Sequence, residues 1–142
     1  MTGFTHLTFS LMLFGSATPV DIFLVGAGSL FPDIDLINSG FQKKSKNGVS
    51  FKHRGIMHTP FLALCIFLFY YMIFRNYMIF PFIIGYLSHI FLDFLTVSGV
   101  PILYPISKNR FNLMRIKTGS SIDKNLGILF LFLFVLRFLK LF

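Results

Sequence analysis

The chain has 142 residues, of which 55% are hydrophobic and 13% charged, with a mean hydropathy of +0.76 and a formal net charge of +8. A soluble domain carries about 25% charged residues, so this chain lacks the charge to cover a water-facing surface, and the same numbers exclude disorder. Cys65 is the single cysteine, which excludes a disulfide scaffold and leaves an all-α polytopic membrane bundle of about five helices, one domain over 1–142.

Apolar stretches lie at 4–31, 60–74, 77–97 and 125–142, separated by polar, Lys-containing segments at 32–59 and 98–124. The first stretch is long for one span, which needs about 20 residues. Within it, Thr18 is a good N-cap, Pro19 fits the first helical position and Asp21 sits three after the cap. The pattern predicts two helices, 3–15 and 19–31, folded back as a short hairpin. Each would be about 20 Å long, short for a full span. One long tilted helix over the whole stretch is the alternative. Thr59-Pro60 repeats the cap-then-proline start for a third helix. Pro81 starts a fourth, or lies in its first turns if Asn76 is the cap. Ser120-Ser121-Ile122-Asp123 opens the last, with Asp123 at its third position. There is no internal repeat.

Charge sets the expected topology. Lys43, Lys44, Lys46, Lys52 and Arg54 lie in the first polar segment, and Lys108, Arg110, Arg115, Lys117 and Lys124 in the second. Two helices separate the segments, so both share one side, and the positive-inside tendency makes it cytoplasmic. The chain is thus expected to be a multi-pass membrane protein with both basic segments cytoplasmic. Its basic charge is accounted for without nucleic acid, and it favours anionic lipid headgroups as partners. The N-terminus has no basic region before its apolar run, so no secretory signal peptide is expected.

All five acids are Asp, and there are four His. His89 and Asp93 are four apart in the predicted fourth helix and share a face. Ionisable residues inside a membrane helix are costly and face a partner or a polar cavity. The pair reads either as a hydrogen bond bracing helix packing or as two metal ligands. Convergence favours ligands. Asp33 and Asp35 end the second helix, His53 and His58 precede the third, and His6 starts the first. With the hairpin, all fall on the basic side, at or just below the interface. This mixed nitrogen and oxygen set suits zinc, with manganese or iron as alternatives. The candidate ligands are His6, Asp33, His53, His58, His89 and Asp93, enough for two ions or for one ion and a base. Asp21 and Asp123 read as first-turn residues favoured by the helix dipole. Arg54 reads as a headgroup cation or as the group that binds a phosphate or developing oxyanion. No nucleotide loop, Gly-x-Ser-x-Gly elbow or nucleophilic Cys is present.

The ordered motifs are an early His, Gly28-x-x-x-Pro32-Asp33-x-Asp35, Ser39, His53-Arg54-Gly55-x-x-His58-Thr59, Gly85-Tyr86-x-x-His89-x-x-x-Asp93, Gly99-Val100, Pro105 and Thr118-Gly119-Ser120. Together they resemble the YdjM family of prokaryotic inner-membrane proteins, and the resemblance covers nearly the whole chain. It implies a metal-dependent hydrolase. Departures are Met57 and Thr59, where Thr and Ser are usual, and Asp123 where Glu often stands. A more distant similarity is to zinc-dependent phospholipase C and related nucleases. It implies one ion on Asp33, His53 or His58, His89 and Asp93, with Asp93 bridging to a second ion near His6. The second His-x-x-x-Glu helix of those lipases is missing.

The expected function is a membrane-bound metal-dependent hydrolase using one or two divalent ions. Asp35 is the expected general base and Arg54 the expected stabiliser of an anionic transition state. Phosphoester or phospholipid substrates at the cytoplasmic interface are favoured over other small molecules. A non-catalytic metal-binding or regulatory membrane protein is the alternative. A small transporter fits less well, because the far side offers only Arg75 and the turn at Ser16 and Thr18.

Overall fold

The computed structural model describes residues 1–14, 18–34 and 56–140. The helices are α1 (Gly3–Phe14), α2 (Pro19–Leu30), α3 (Pro60–Phe74), α4 (Phe80–Phe94) and α5 (Ser121–Phe138). A 3-10 turn at Phe31–Asp33 continues α2, and another at Ile56–His58 leads into α3. Among the described residues the only β pairing is two isolated bridges, Thr96 with Ile116 and Val100 with Phe111, which tie up the segment between α4 and α5.

The helix starts are local chemistry. Thr18 and Asp21 form a reciprocal capping box, Thr18 Oγ1 accepting the Asp21 N–H at 3.3 Å and Asp21 Oδ2 accepting the Thr18 N–H at 3.1 Å. Two otherwise orphaned donors are satisfied this way. Thr59 caps α3 by accepting the Leu62 N–H, and Ser120 caps α5 by accepting the Asp123 N–H. Of the two starts expected for α4, the structure has the one near Pro81 and not the Asn76 cap. Its N-cap is Ile79, without a side-chain cap, and Pro81 lies in its first turn. Asn76 instead accepts the Met78 N–H two residues on, the local turn chemistry that competes with helix capping.

The expected hairpin is present, since α1 packs on α2 and brings His6 to the same end as Asp33. The densest packing is between α2 and α4, while α1 lies against α5 and α3 against α4. A Cβ on Gly28 would stand 2.0 Å from the Phe82 carbonyl oxygen, and one on Gly85 2.1 Å from the Val25 carbonyl oxygen. Small residues at these two positions let the backbones meet, as in membrane helix pairs.

Asp123 does more than favour a helix start. Its carboxylate accepts hydrogen bonds from the Thr2 N–H at 2.9 Å, the Thr5 hydroxyl at 2.7 Å and the Gly119 N–H at 2.8 Å. It therefore staples the entry of α1 to the start of α5. At the other end of the same pair, the Arg137 guanidinium donates to the terminal carbonyls of α1 at Met12 and Leu13. Asp123→Asn keeps the shape but removes the charge and turns one acceptor into a donor. Charge-assisted hydrogen bonds of this kind contribute about 1.5–3 kcal/mol each, so a loss of stability of about that size is expected, read as an earlier thermal or denaturant transition.

Polarity is distributed inside out. Thr5, Ser10, Ser29, Ser88, His89 and Thr96 are buried, whereas Phe23, Phe69, Met72, Ile106, Leu113 and Phe132 are exposed. Among the described residues the buried apolar side chains are few, and one cluster joins Ala63, Tyr86, Ile90 and Val100, with Phe31 and Ile66 against it. The helices run from 12 to 18 residues, or about 18–27 Å at 1.5 Å per residue, against a hydrocarbon layer of about 30 Å. Among the described residues no helix is both long and apolar enough to cross a membrane.

Candidate metal centre

Three elements deliver the side chains. α4 is amphipathic in an unusual sense: Gly85, His89 and Asp93 follow one another at four-residue spacing, and all three are buried. The turn Phe31–Asp33 swings Asp33 under the end of α2. The turn Ile56–His58 carries His58, and the Tyr86 hydroxyl of α4 fixes it by donating to the Met57 carbonyl. α1 adds His6, fully buried.

The distances converge on one point. His58 Nε2 stands 3.6 Å from both Asp33 Oδ1 and Asp93 Oδ2. His89 Nε2 stands 3.6 Å from Asp33 Oδ1 and 3.7 Å from Asp93 Oδ2. These gaps are too long for hydrogen bonds. They match two ligands sharing one ion, since atoms each about 2.0–2.2 Å from a tetrahedral centre are about 3.3–3.6 Å apart.

The chemistry of His89 points the same way. Its Nδ1 lies 2.6 Å from the Ser29 carbonyl oxygen. A carbonyl can only accept, so Nδ1–H donates, and Nε2 is the ring nitrogen directed at the two carboxylates. Nε2 has no hydrogen-bond partner among the described residues. A cation held between this nitrogen and the carboxylate oxygens would satisfy all of them at once. Fixing the rear nitrogen on a backbone carbonyl is how metal-bound imidazoles are held in one orientation.

His6 occupies the flank. Its ring stacks on His89 with centroids 3.7 Å apart, and its Nε2 is 3.4 Å from Asp93 Oδ1. The same Oδ1 lies 2.6 Å from the Met1 amine. Asp93 therefore divides its carboxylate, one oxygen toward His58 and His89, the other toward His6 and the amine. Two overlapping triads, His6–Asp33–His89 and His58–His89–Asp93, each have ligand atoms within 4.8 Å of one another, so this buried His/Asp group could hold a metal ion.

Burial grades across the cluster. The side chains of His58, His89 and Asp93 are at most 2% exposed, whereas that of Asp33 is 24% exposed. Burial pushes the Asp33 carboxyl up, but the His58 imidazole beside it, with His89 and His6 close by, outweighs burial and holds it below the usual carboxylate range. Asp33 therefore remains an anionic ligand at the rim of the cluster.

Of the residues expected at the site, His6, Asp33, His58, His89 and Asp93 meet here. Asp35, His53 and Arg54 lie outside the described residues. Two contributors escaped the sequence reading. The Ser29 carbonyl is a backbone group that leaves no side-chain signature, although Gly28 and Gly85 mark the close approach that delivers it. Tyr86, next to Gly85, was legible only as part of a motif without a role.

No significant match to the chain is found among curated proteins or solved structures, and a tie to zinc-dependent phospholipase C therefore gains no support. The family model described as YdjM inner membrane protein matches residues 1–141, and by that match the chain belongs to the YdjM family.

Proposed function

We propose that the chain is a membrane-embedded, metal-dependent hydrolase acting at the cytoplasmic interface on phosphoester or phospholipid substrates. One divalent ion, zinc by preference for this donor set, would be held by Asp33, His58, His89 and Asp93. His89 has only Nε2 to offer, because Ser29 occupies Nδ1. The two triads that share His89 are thus alternative views of one centre, with His6 orienting Asp93 and His89 from the side. Such an ion supplies a lowered pKa for water and polarisation of the scissile group. The chain's own residues then hold the geometry: Ser29 fixes the His89 ring, and His6 aligns Asp93. Asp35 and Arg54 are the proposed general base and oxyanion partner, carried by the basic segment after Asp33.

The observation that carries this reading is the graded burial. A catalytic ion needs a position for water beside its protein ligands, and Asp33, 24% exposed where the other three ligands are buried, is the ligand at which a water would join, as a fourth ligand if one of the four residues stays outside the ion's shell or as a fifth if all four bind. Membrane embedding is supported by the apolar exterior, the family and the polar interior, and the charge of the two basic segments favours their placement on the cytoplasmic side.

The test is hydrolysis by the zinc-loaded, detergent-purified protein of a soluble phosphodiester and of a phospholipid in mixed micelles. Turnover above the metal-free control, falling by about 10²-fold or more in Asp33→Asn, is expected. Stoichiometric zinc with no turnover on either substrate would favour the non-catalytic metal-binding reading.

A further inference from the structure

The segment between α4 and α5 carries a charge that the candidate centre does not use. Between Asp93 and Asp123 the chain has four cations, Lys108, Arg110, Arg115 and Lys117, and no acidic residue. All four are exposed. Large apolar side chains are interleaved with them. Ile106 is 92% exposed, and Leu103, Leu113 and Met114 are each more than half exposed.

The segment has a defined fold. Val100 and Phe111 exchange two backbone hydrogen bonds of 3.0 Å, and Ile116 pairs with Leu95 and Val97. Within this frame Val100 is buried and Ile102 packs against the apolar cluster, whereas Leu103 and Ile106 remain outside. The pinned backbone cannot turn the outer set inward without breaking those pairs. Its base is stitched to the end of the bundle that carries the centre. The Leu113 N–H donates to the Phe94 carbonyl at 2.8 Å, and the Thr96 hydroxyl donates to the carbonyl of Asp93 itself. The exposed set therefore stands at a fixed level relative to Asp93.

A partner for this surface must neutralise cations and also take apolar side chains into a dry layer. The headgroup region of an anionic leaflet does both, with phosphates above and acyl chains beneath. A nucleic-acid backbone would meet the cations but has no apolar layer to receive Ile106. We infer that segment 97–119 is an interfacial anchor for an anionic bilayer surface. Leu103, Ile106, Leu113 and Met114 enter the acyl boundary, and Lys108, Arg110, Arg115 and Lys117 hold lipid phosphates. Anchoring there sets the centre at the level of the headgroups. The inference takes membrane embedding from the proposed function but needs neither metal nor turnover.

The chain contains no Trp, so Ile106→Trp gives a single reporter at the tip of the exposed set. The protein is reconstituted without metal in nanodiscs of phosphatidylcholine alone, or of phosphatidylcholine with an equal amount of phosphatidylglycerol. Both contain lipid brominated near the top of the acyl chain. With phosphatidylglycerol, bromolipid quenching of the reporter should rise by about twofold or more, and its access to aqueous acrylamide should fall. Lys108→Glu with Arg110→Glu in the same background should erase the difference between the two compositions, and so should high salt. These positions are on the surface, so the fold is expected to survive. Phe132→Trp, on the exposed face of α5, should be quenched alike in both compositions and reports embedding itself. A reporter at position 106 that stays open to acrylamide and unquenched in both, while Phe132→Trp is quenched, would overturn the anchor alone and leave the surface to an acidic soluble protein. Equal bromolipid quenching at position 106 in both compositions, or a difference that survives charge reversal, would overturn it as well, because the anionic lipid would then select nothing. An unquenched Phe132→Trp would overturn the anchor and membrane embedding together.

Discussion

His89→Ala will abolish the response of the protein to zinc. In the parent chain, zinc at about 100 times its dissociation constant should raise stability by about 2.7 kcal/mol. In the variant the same addition should leave the melting temperature unchanged. The reason is geometric. His89 is the one residue common to both candidate triads, and its Nε2 closes contacts to both Asp33 and Asp93. Removing a partner that merely orients a ligand typically costs about 10–100-fold in metal affinity, so removing the shared ligand must cost more. A purely structural His89, acting as the charged partner of the two carboxylates, would on removal leave an uncompensated buried charge, which costs about 3–5 kcal/mol. A simple structural role for His89 would give that second effect alone. The zinc-dependent shift separates the two: a destabilised variant whose melting temperature still rises with zinc would remove His89 from the ligand set.

The parts of this centre that were legible in the sequence are the local ones. Thr18 with Pro19 and Asp21, Thr59 with Pro60, and Ser120 before Asp123 each encode a helix start within four residues, and all three caps form. The four-residue spacing of His89 and Asp93 needs only helical periodicity to be read as a shared face. Placing His6 beside Asp33 required the hairpin, which the proline turn encodes. Less legible features depend on tertiary approach. The end of α4 comes at Phe94, short of the apolar stretch, because the Thr96 hydroxyl donates to the Asp93 carbonyl and the chain bridges to Ile116. The end of α3 falls at Arg75 in a left-handed conformation, φ 51°, where sequence signals favour Gly or Asn. Asp123 was legible as a first-turn residue of α5, but its ties to α1 were not, because Thr2 and Thr5 lie at the opposite end of the chain.

Gly85→Ala is expected to disturb the centre from one helical turn away, without touching any ligand. Its new Cβ would lie 2.1 Å from the Val25 carbonyl oxygen and 2.9 Å from the Ser29 nitrogen. Both obstacles are backbone, so no side chain can rotate aside, and α2 and α4 must separate by about an ångström to restore ordinary contact. The bond from His89 Nδ1 to the Ser29 carbonyl, now 2.6 Å, would then pass beyond hydrogen-bonding range. Overpacking of this kind costs about 1–3 kcal/mol, and the lost hydrogen bond frees the imidazole, which should weaken zinc by about 10–100-fold. Gly28→Ala should act in the same way through the Phe82 carbonyl, 2.0 Å from its Cβ. Because either substitution opens the same interface, the double variant should cost less than the sum of the singles, the signature of sites coupled through one backbone shift. Thermal melts and chelator-competition zinc titrations of the three variants measure both effects. Parent-like stability and zinc affinity in Gly85→Ala would mean that α2 and α4 do not approach this closely, and that some group other than the Ser29 carbonyl sets the direction of His89.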